Sequence, residues 1–231
     1  EAMSWSTLRG AFEARRKLRQ WETPPLETSK PGWGPAAMSE DGRHRYTLAR
    51  ALPVQMLHPN RVLFVMLNPS TADDNIEDPT IRRCIDFAMR HGADAMAVAN
   101  LFSLRSTDPR ALKTTPDAEG DPHNLTWILE MALSATLVIC AWGTHGALRG
   151  RDATVTKMLL DEGVKLHALK VTKDGHPAHP LYLPKTARAV PWVPGEKPGI
   201  EALRPEEAWE FADGGPKRAD LAALARELDE P

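Results

Sequence analysis

The sequence predicts an α/β fold, a three-layer α/β/α sandwich around a central, mostly parallel, four-stranded sheet. Three observations predict it: four short apolar runs recur through the middle of the chain, helical patterns separate them, and polar loops rich in Gly and Pro follow them. A strand buried on both faces needs a continuous apolar run. Alternation of such strands with helices implies a parallel sheet covered on both sides.

The first run, Val62-Leu63-Phe64-Val65-Met66-Leu67, is unbroken. The second is Ala95-Met96-Ala97-Val98-Ala99, the third Thr136-Leu137-Val138-Ile139-Cys140-Ala141, and the weaker fourth Lys165-Leu166-His167-Ala168-Leu169. Tyr46-Thr47-Leu48-Ala49-Arg50 reads as an edge strand leading into them. Asp78-Pro79 opens the first helix, because Asp caps a helix N-terminus and Pro suits its first turn. That helix carries Ile81, Cys84, Ile85, Phe87 and Ala88 and stops near Gly92. A second helix runs from Pro122 to Ser134 and a third from Ala153 to Glu162, ending at Gly163.

The chain has 231 residues, 42% hydrophobic and 26% charged, so its composition is that of a globular protein. Three regions are expected: an N-terminal basic helix and wrapping linker over 1–45, the α/β domain over 46–192, and a Pro-rich segment with a C-terminal helix over 193–231. The N-terminal helix clusters Arg9, Arg15, Arg16, Lys17 and Arg19, and is either a solvated extension or a phosphate-contacting arm. The terminal helix, Ala219 to Leu228, suits packing or contact with a protein partner. No apolar run approaches the roughly 20 residues that span a bilayer, and Glu1-Ala2-Met3 does not open a signal-peptide pattern. With only Cys84 and Cys140 there is no disulfide framework, and a reducing cytoplasm is the expected setting. A net charge of -2 excludes a general polycation, so contact with nucleic acid requires local basic patches.

Ligands of parallel sheets bind beyond the carboxyl ends of the strands, and four loops lie there. The first holds Asn68, Pro69, Ser70, Thr71, Asp73 and Asp74. Asn68 offers both a donor and an acceptor to a water or a base edge, and Ser70 and Thr71 can cap a turn or bind phosphate. The acidic residues Asp73, Asp74, Glu77 and Asp78 suit either a solvated loop or a Mg²⁺ site. In the second loop Asn100 ends a strand, Phe102 suits base stacking or the core, and Arg105 suits a phosphate or an ion pair with Asp108. The third holds Trp142, Gly143, Arg149 and Arg151, where glycine admits a ligand to the backbone and arginines suit phosphate. The fourth holds Lys173 and the pairs His176-Pro177 and His179-Pro180, then Tyr182. Proline after each histidine fixes how it is presented. His179 suits an acid or oxyanion donor. No third ligand makes the two histidines a zinc site, and no cofactor or metal is assigned.

The segments Leu67-Asn68-Pro69-Ser70-Thr71-Ala72-Asp73, Asp78-Pro79-Thr80-Ile81-Arg82-Arg83-Cys84, Asn100-Leu101-Phe102 and His179-Pro180-Leu181-Tyr182-Leu183 resemble a family of uncharacterised bacterial and phage domains. The loop order is also similar, more distantly, to the uracil-DNA glycosylase superfamily. In that superfamily a Gly-Ile-Asn-Pro-Gly motif corresponds to Met66-Leu67-Asn68-Pro69-Ser70, a base-reading Asn to Asn100, and a His-Pro-Ser-Pro motif to His179-Pro180-Leu181-Tyr182. The resemblance implies that Asn68 places the attacking water, with Asp73 beside it in the catalytic set. It implies that Asn100 reads the base and His179 stabilises the departing base anion. Tyr182 then sits where a minor-groove wedge begins.

The leading expectation is a glycosylase-like domain that binds, and excises, a nucleobase in DNA or a nucleotide, with Asn68, Asp73 and His179 catalytic. Ser70, Thr71, Asn100, Phe102, Trp142, Gly143, His176 and Tyr182 would then line the base site, and Arg105, Arg149, Arg151 and Lys173 would meet phosphates. The alternatives are a non-catalytic nucleotide or nucleic-acid binding module and a metal-dependent enzyme built on Asp73, Asp74 and Asp78.

Overall fold

A computed structural model of the chain describes residues 36–53, 59–70, 79–120 and 123–196. The chain divides into two compact units, Glu1–Pro198 and Gly199–Pro231, and the described residues all belong to the first. The basic N-terminal helix, the acidic loop carrying Thr71, Asp73, Asp74, Glu77 and Asp78, and the C-terminal helix lie outside the described residues.

The elements in order are β1 (Ala36–Met38), β2 (Arg45–Ala51), β3 (Arg61–Met66), α1 (Pro79–Arg90), β4 (Ala95–Asn100), α2 (Ala111–Thr114), α3 (His123–Ser134), β5 (Leu137–Cys140), a 3-10 segment (Thr144–Gly150), α4 (Arg151–Asp161), β6 (Leu166–Ala168), a 3-10 turn (Pro180–Tyr182) and β7 (Val190–Pro191). The strands form one sheet in the order β1-β2-β4-β3-β5-β6-β7.

The four apolar runs are therefore strands, and they pair in parallel as β4-β3-β5-β6. The expected four-stranded sheet is nonetheless corrected to seven strands. β2 and β1 extend it antiparallel beyond β4, and β7 extends it antiparallel beyond β6. The Tyr46 run is not an edge, because Ala36–Met38, inside the expected linker, pairs outside it. These added strands are short or carry proline, which only an edge strand tolerates.

The core follows from the pleat, since successive side chains of a strand point to opposite faces. Val62, Phe64 and Met66 of β3 join Met96, Val98 and Ile139 in one apolar cluster with Ile81, Cys84, Phe87 and Ala88 of α1. Leu63, Val65 and Leu67 join Ala97, Ala99, Val138 and Cys140 in another, with Ile128 and Ala132 of α3 and Val155, Met158 and Leu159 of α4. Phe64 and Val65 are completely buried, one in each cluster. Right-handed crossovers account for the division of helices. The chain moves from β3 to β4 in one direction through α1, then back across β3 to β5 and on to β6 through α3 and α4. Opposite directions of travel place α1 on one face and α3 and α4 on the other.

That reversal of direction creates a switch point between β3 and β5, which pair from Val62↔Leu137 to Val65↔Cys140. The loop from β3 leaves toward the α1 face and the loop from β5 toward the α4 face. A crevice at the carboxyl ends of such strands is where open α/β sheets bind ligands.

Candidate binding site at the strand ends

Asn100 ends β4 opposite Met66 of β3. It shares the parity of Met96 and Val98, so its side chain faces the α1 side of the sheet. It is 1% exposed, and its Nδ2 has no hydrogen-bond partner among the described residues. Leaving a buried amide donor unpaired costs about 1–3 kcal/mol. Native proteins tolerate this rarely, and mostly where a ligand or water completes the group.

The backbone around Asn100 is held with unusual thoroughness. Asn124, fully buried on α3, donates from Nδ2 to the carbonyls of Asn100 (3.1 Å), Leu101 (3.2 Å) and Glu119 (3.2 Å). Arg151, at the start of α4, donates from Nε to the Leu101 carbonyl at 2.8 Å. Its Nη1 lies 3.7 Å from Glu119 Oε2. Burial pulls the Arg151 pKa below the ordinary arginine value, and Glu119 acts in the opposite sense. Leu101 and Phe102 continue the ladder by donating their N–H groups to the Met66 and Leu67 carbonyls.

Asn68 follows β3. Its Nδ2 donates to the carbonyls of Pro69 (3.1 Å) and Ser106 (2.8 Å), tying the β3 loop to the β4 loop. Both amide hydrogens are thereby committed, so what Asn68 can offer a ligand or water is its Oδ1 acceptor.

The fourth loop crosses the end of the sheet. Its first half belongs to the α4 side: His176 Nδ1 lies 3.9 Å from Asp152 Oδ2, and the Gly175 carbonyl accepts from Trp192 Nε1. Its second half belongs to the α1 side. Ala178 and Leu183 enter the α1 cluster, and Arg83 of α1 donates to the Leu183 carbonyl at 3.0 Å. His179 caps the 3-10 turn by accepting the Leu181 N–H at Nδ1 (3.3 Å). In the neutral ring this leaves the proton on Nε2, which is then a donor. Tyr182 is 83% exposed, with its ring centroid 5.7 Å from that of His179.

The predicted residues thus fall into two groups. Asn100 and His179 sit with the α1 side of the sheet, and the Asn68 loop leads into it. Trp142 and His176 sit with the α4 side. Trp142 is 2% exposed and meets Trp192 edge to face, and Gly143 donates to the Pro177 carbonyl. Phe102 is completely buried in the α4-side core. Of the cations, Arg105 donates to the Gly42 carbonyl and Arg149 to the carbonyls of Pro116 and Thr115. Asp108 pairs with Arg110. Lys173 lies in an exposed turn, and Ser70 is half-buried after β3.

The residues that support Asn100 are absent from the sequence expectation. Asn124 and Glu119 lie in a stretch that offers no strand end and no motif, so no local signal singles them out. Among the described residues no group of three or more His, Cys, Asp or Glu side chains could hold a metal ion, and no helix is long and apolar enough to cross a membrane.

Fold and site together define an α/β domain whose parallel centre carries a polar strand-end site. Residues 45–181 match the model of a family described as "protein of unknown function (DUF1643)", and the chain belongs to that family. No curated protein and no solved structure matches the chain.

Proposed function

We propose that the strand-end site on the α1 side binds a nucleobase, in DNA or in a nucleotide, and that the domain cleaves the bond joining that base to its sugar. The observation that carries this reading is the buried, unpaired amide of Asn100, which is complementary to a base edge bearing an acceptor. His179 supplies the second element. Its Nε2–H is a donor of the kind that stabilises negative charge on a departing base. The Oδ1 of Asn68 is an acceptor that can orient a water for attack on the sugar carbon. The exposed Tyr182 ring beside His179 suits contact with an adjoining base. The three-layer arrangement of helices about the sheet leaves this site open only at the strand ends.

One observation favours a non-catalytic binding module instead. Asn68 spends its whole amide donor on closing the loops, which a structural role explains equally well. The metal-dependent alternative rests on Asp73, Asp74 and Asp78 and is decided by metal analysis of active protein.

The test is base release from single- and double-stranded DNA and from nucleotides carrying a panel of normal, modified and damaged bases. Catalysis predicts release by the wild type and a loss of about 100-fold or more in His179→Ala. Binding without release, weakening as salt rises, selects the binding module. Neither release nor binding with any member rejects both.

A further inference from the structure

A second polar centre lies at the β2 edge, away from the strand-end site. His44 immediately precedes β2 and is 8% exposed. Its Nδ1 is 2.9 Å from Ser103 Oγ, and its Nε2 is 3.5 Å from Asp117 Oδ2. Arg43 completes the line, with Nη1 3.2 Å from the same Asp117 oxygen. His44, Asp117, Tyr46 and Gly120 line a cavity of about 700 Å³, a size that suits a small molecule.

The order of these groups fixes the proton positions. A carboxylate beside Nε2 favours the tautomer with its proton there. Nδ1 is then the basic nitrogen, and it faces the Ser103 hydroxyl. This is the polarity of carboxylate, imidazole and hydroxyl that activates a serine. Gly120 bears on access. It has φ +79° and lines the cavity, and a Cβ at this position would overlap Ser103 Oγ. No side chain therefore stands between the hydroxyl and the cavity. Ser103 itself is completely buried, so a substrate reaches it by displacing the Gly120 backbone.

We propose that Ser103, His44 and Asp117 form a nucleophile-generating relay that accepts the acyl group of a small carboxylic ester bound in this cavity. Ser103 Oγ bonds to the carbonyl carbon as its proton passes to His44 Nδ1. The bond to the leaving alkoxide then breaks as that oxygen takes the proton from Nδ1. Water enters by the same path, giving up a proton to Nδ1, and releases the carboxylic acid as the proton returns to Ser103. Asp117 stabilises the imidazolium formed at each stage.

The experiment is incubation of the full chain with 4-nitrophenyl acetate, following 4-nitrophenolate release and locating acetyl adducts by peptide mass spectrometry. The expected result is an acetyl group on Ser103, formed about 100-fold more slowly in His44→Gln. Asp117→Asn changes a half-exposed side chain, so it keeps the fold while slowing the same reaction. Gly120→Ala should block it. An unmodified Ser103 in the wild type overturns the proposal without reference to any variant. So does an adduct that forms at the wild-type rate in Asp117→Asn.

Discussion

Arg151 Nε donates to the Leu101 carbonyl at 2.8 Å, joining the first residue of α4 to the backbone just beyond Asn100. A buried guanidinium is costly unless its hydrogen bonds are made. Here the cost is offset by Leu101 and by Glu119, which also receives Arg149 at 3.7 Å.

Arg151→Met should therefore destabilise the domain by about 2 kcal/mol, less than a fully buried pair would lose, because Glu119 keeps some solvent. Arg151→Lys should not restore stability, since an ammonium cannot reproduce the planar Nε–H contact. Urea denaturation of the three proteins checks this. A lysine variant as stable as wild type would show that charge alone matters.

Gly146 packs against the buried indole of Trp142, and a Cβ there would overlap the ring. The ring cannot easily yield, because Trp192 meets it edge to face at 5.5 Å. Gly146→Ala should cost about 1–3 kcal/mol by overpacking. It should also shift tryptophan fluorescence. Unchanged stability and emission would mean that the 3-10 segment moves aside at no cost.

Stability should fall with acid well before the carboxylates titrate. Burial, followed by repulsion from Arg188 and His167, lowers the His91 pKa from 6.5 to about 4. Burial also lowers that of His167. A histidine with a depressed folded pKa contributes stability that is complete above its unfolded value. That contribution is lost as pH falls toward the folded value. At about 1.4 kcal/mol per pH unit, His91 accounts for roughly 3 kcal/mol between pH 6.5 and pH 4. Denaturation midpoints across that window, in wild type and His91→Gln, measure it. An equal pH dependence in the two proteins would remove His91 as the source.

The centre of the fold was legible in the sequence because β3, β4 and β5 bury both faces and so read as uninterrupted apolar runs. The outer strands were not: β1 is Ala36-Ala37-Met38 in a Pro- and Gly-rich stretch, and β7 is only Val190-Pro191. Their pairing is decided by tertiary contact and leaves no pattern of period two. The strand-end location of the candidate residues was legible for the same reason as the strands. Their division between faces was present in the parity of the runs, which sets Asn100 with Met96 and Val98 but Trp142 with Val138 and Cys140. The supports Asn124 and Glu119, and the pairing of His44 with Ser103, bring together residues 16–59 apart in sequence. No local spacing encodes them.

The most direct measurement is the unfolding free energy of Asn100→Leu without ligand, since leucine copies the branching of the amide without its polar atoms. If Asn100 is kept for a ligand, removing its unpaired donor should leave the domain as stable as wild type, or about 1 kcal/mol more so. Binding or release of the base should be lost at the same time. A loss of 2 kcal/mol or more would contradict this, because Asn100 would then be serving the fold rather than a ligand.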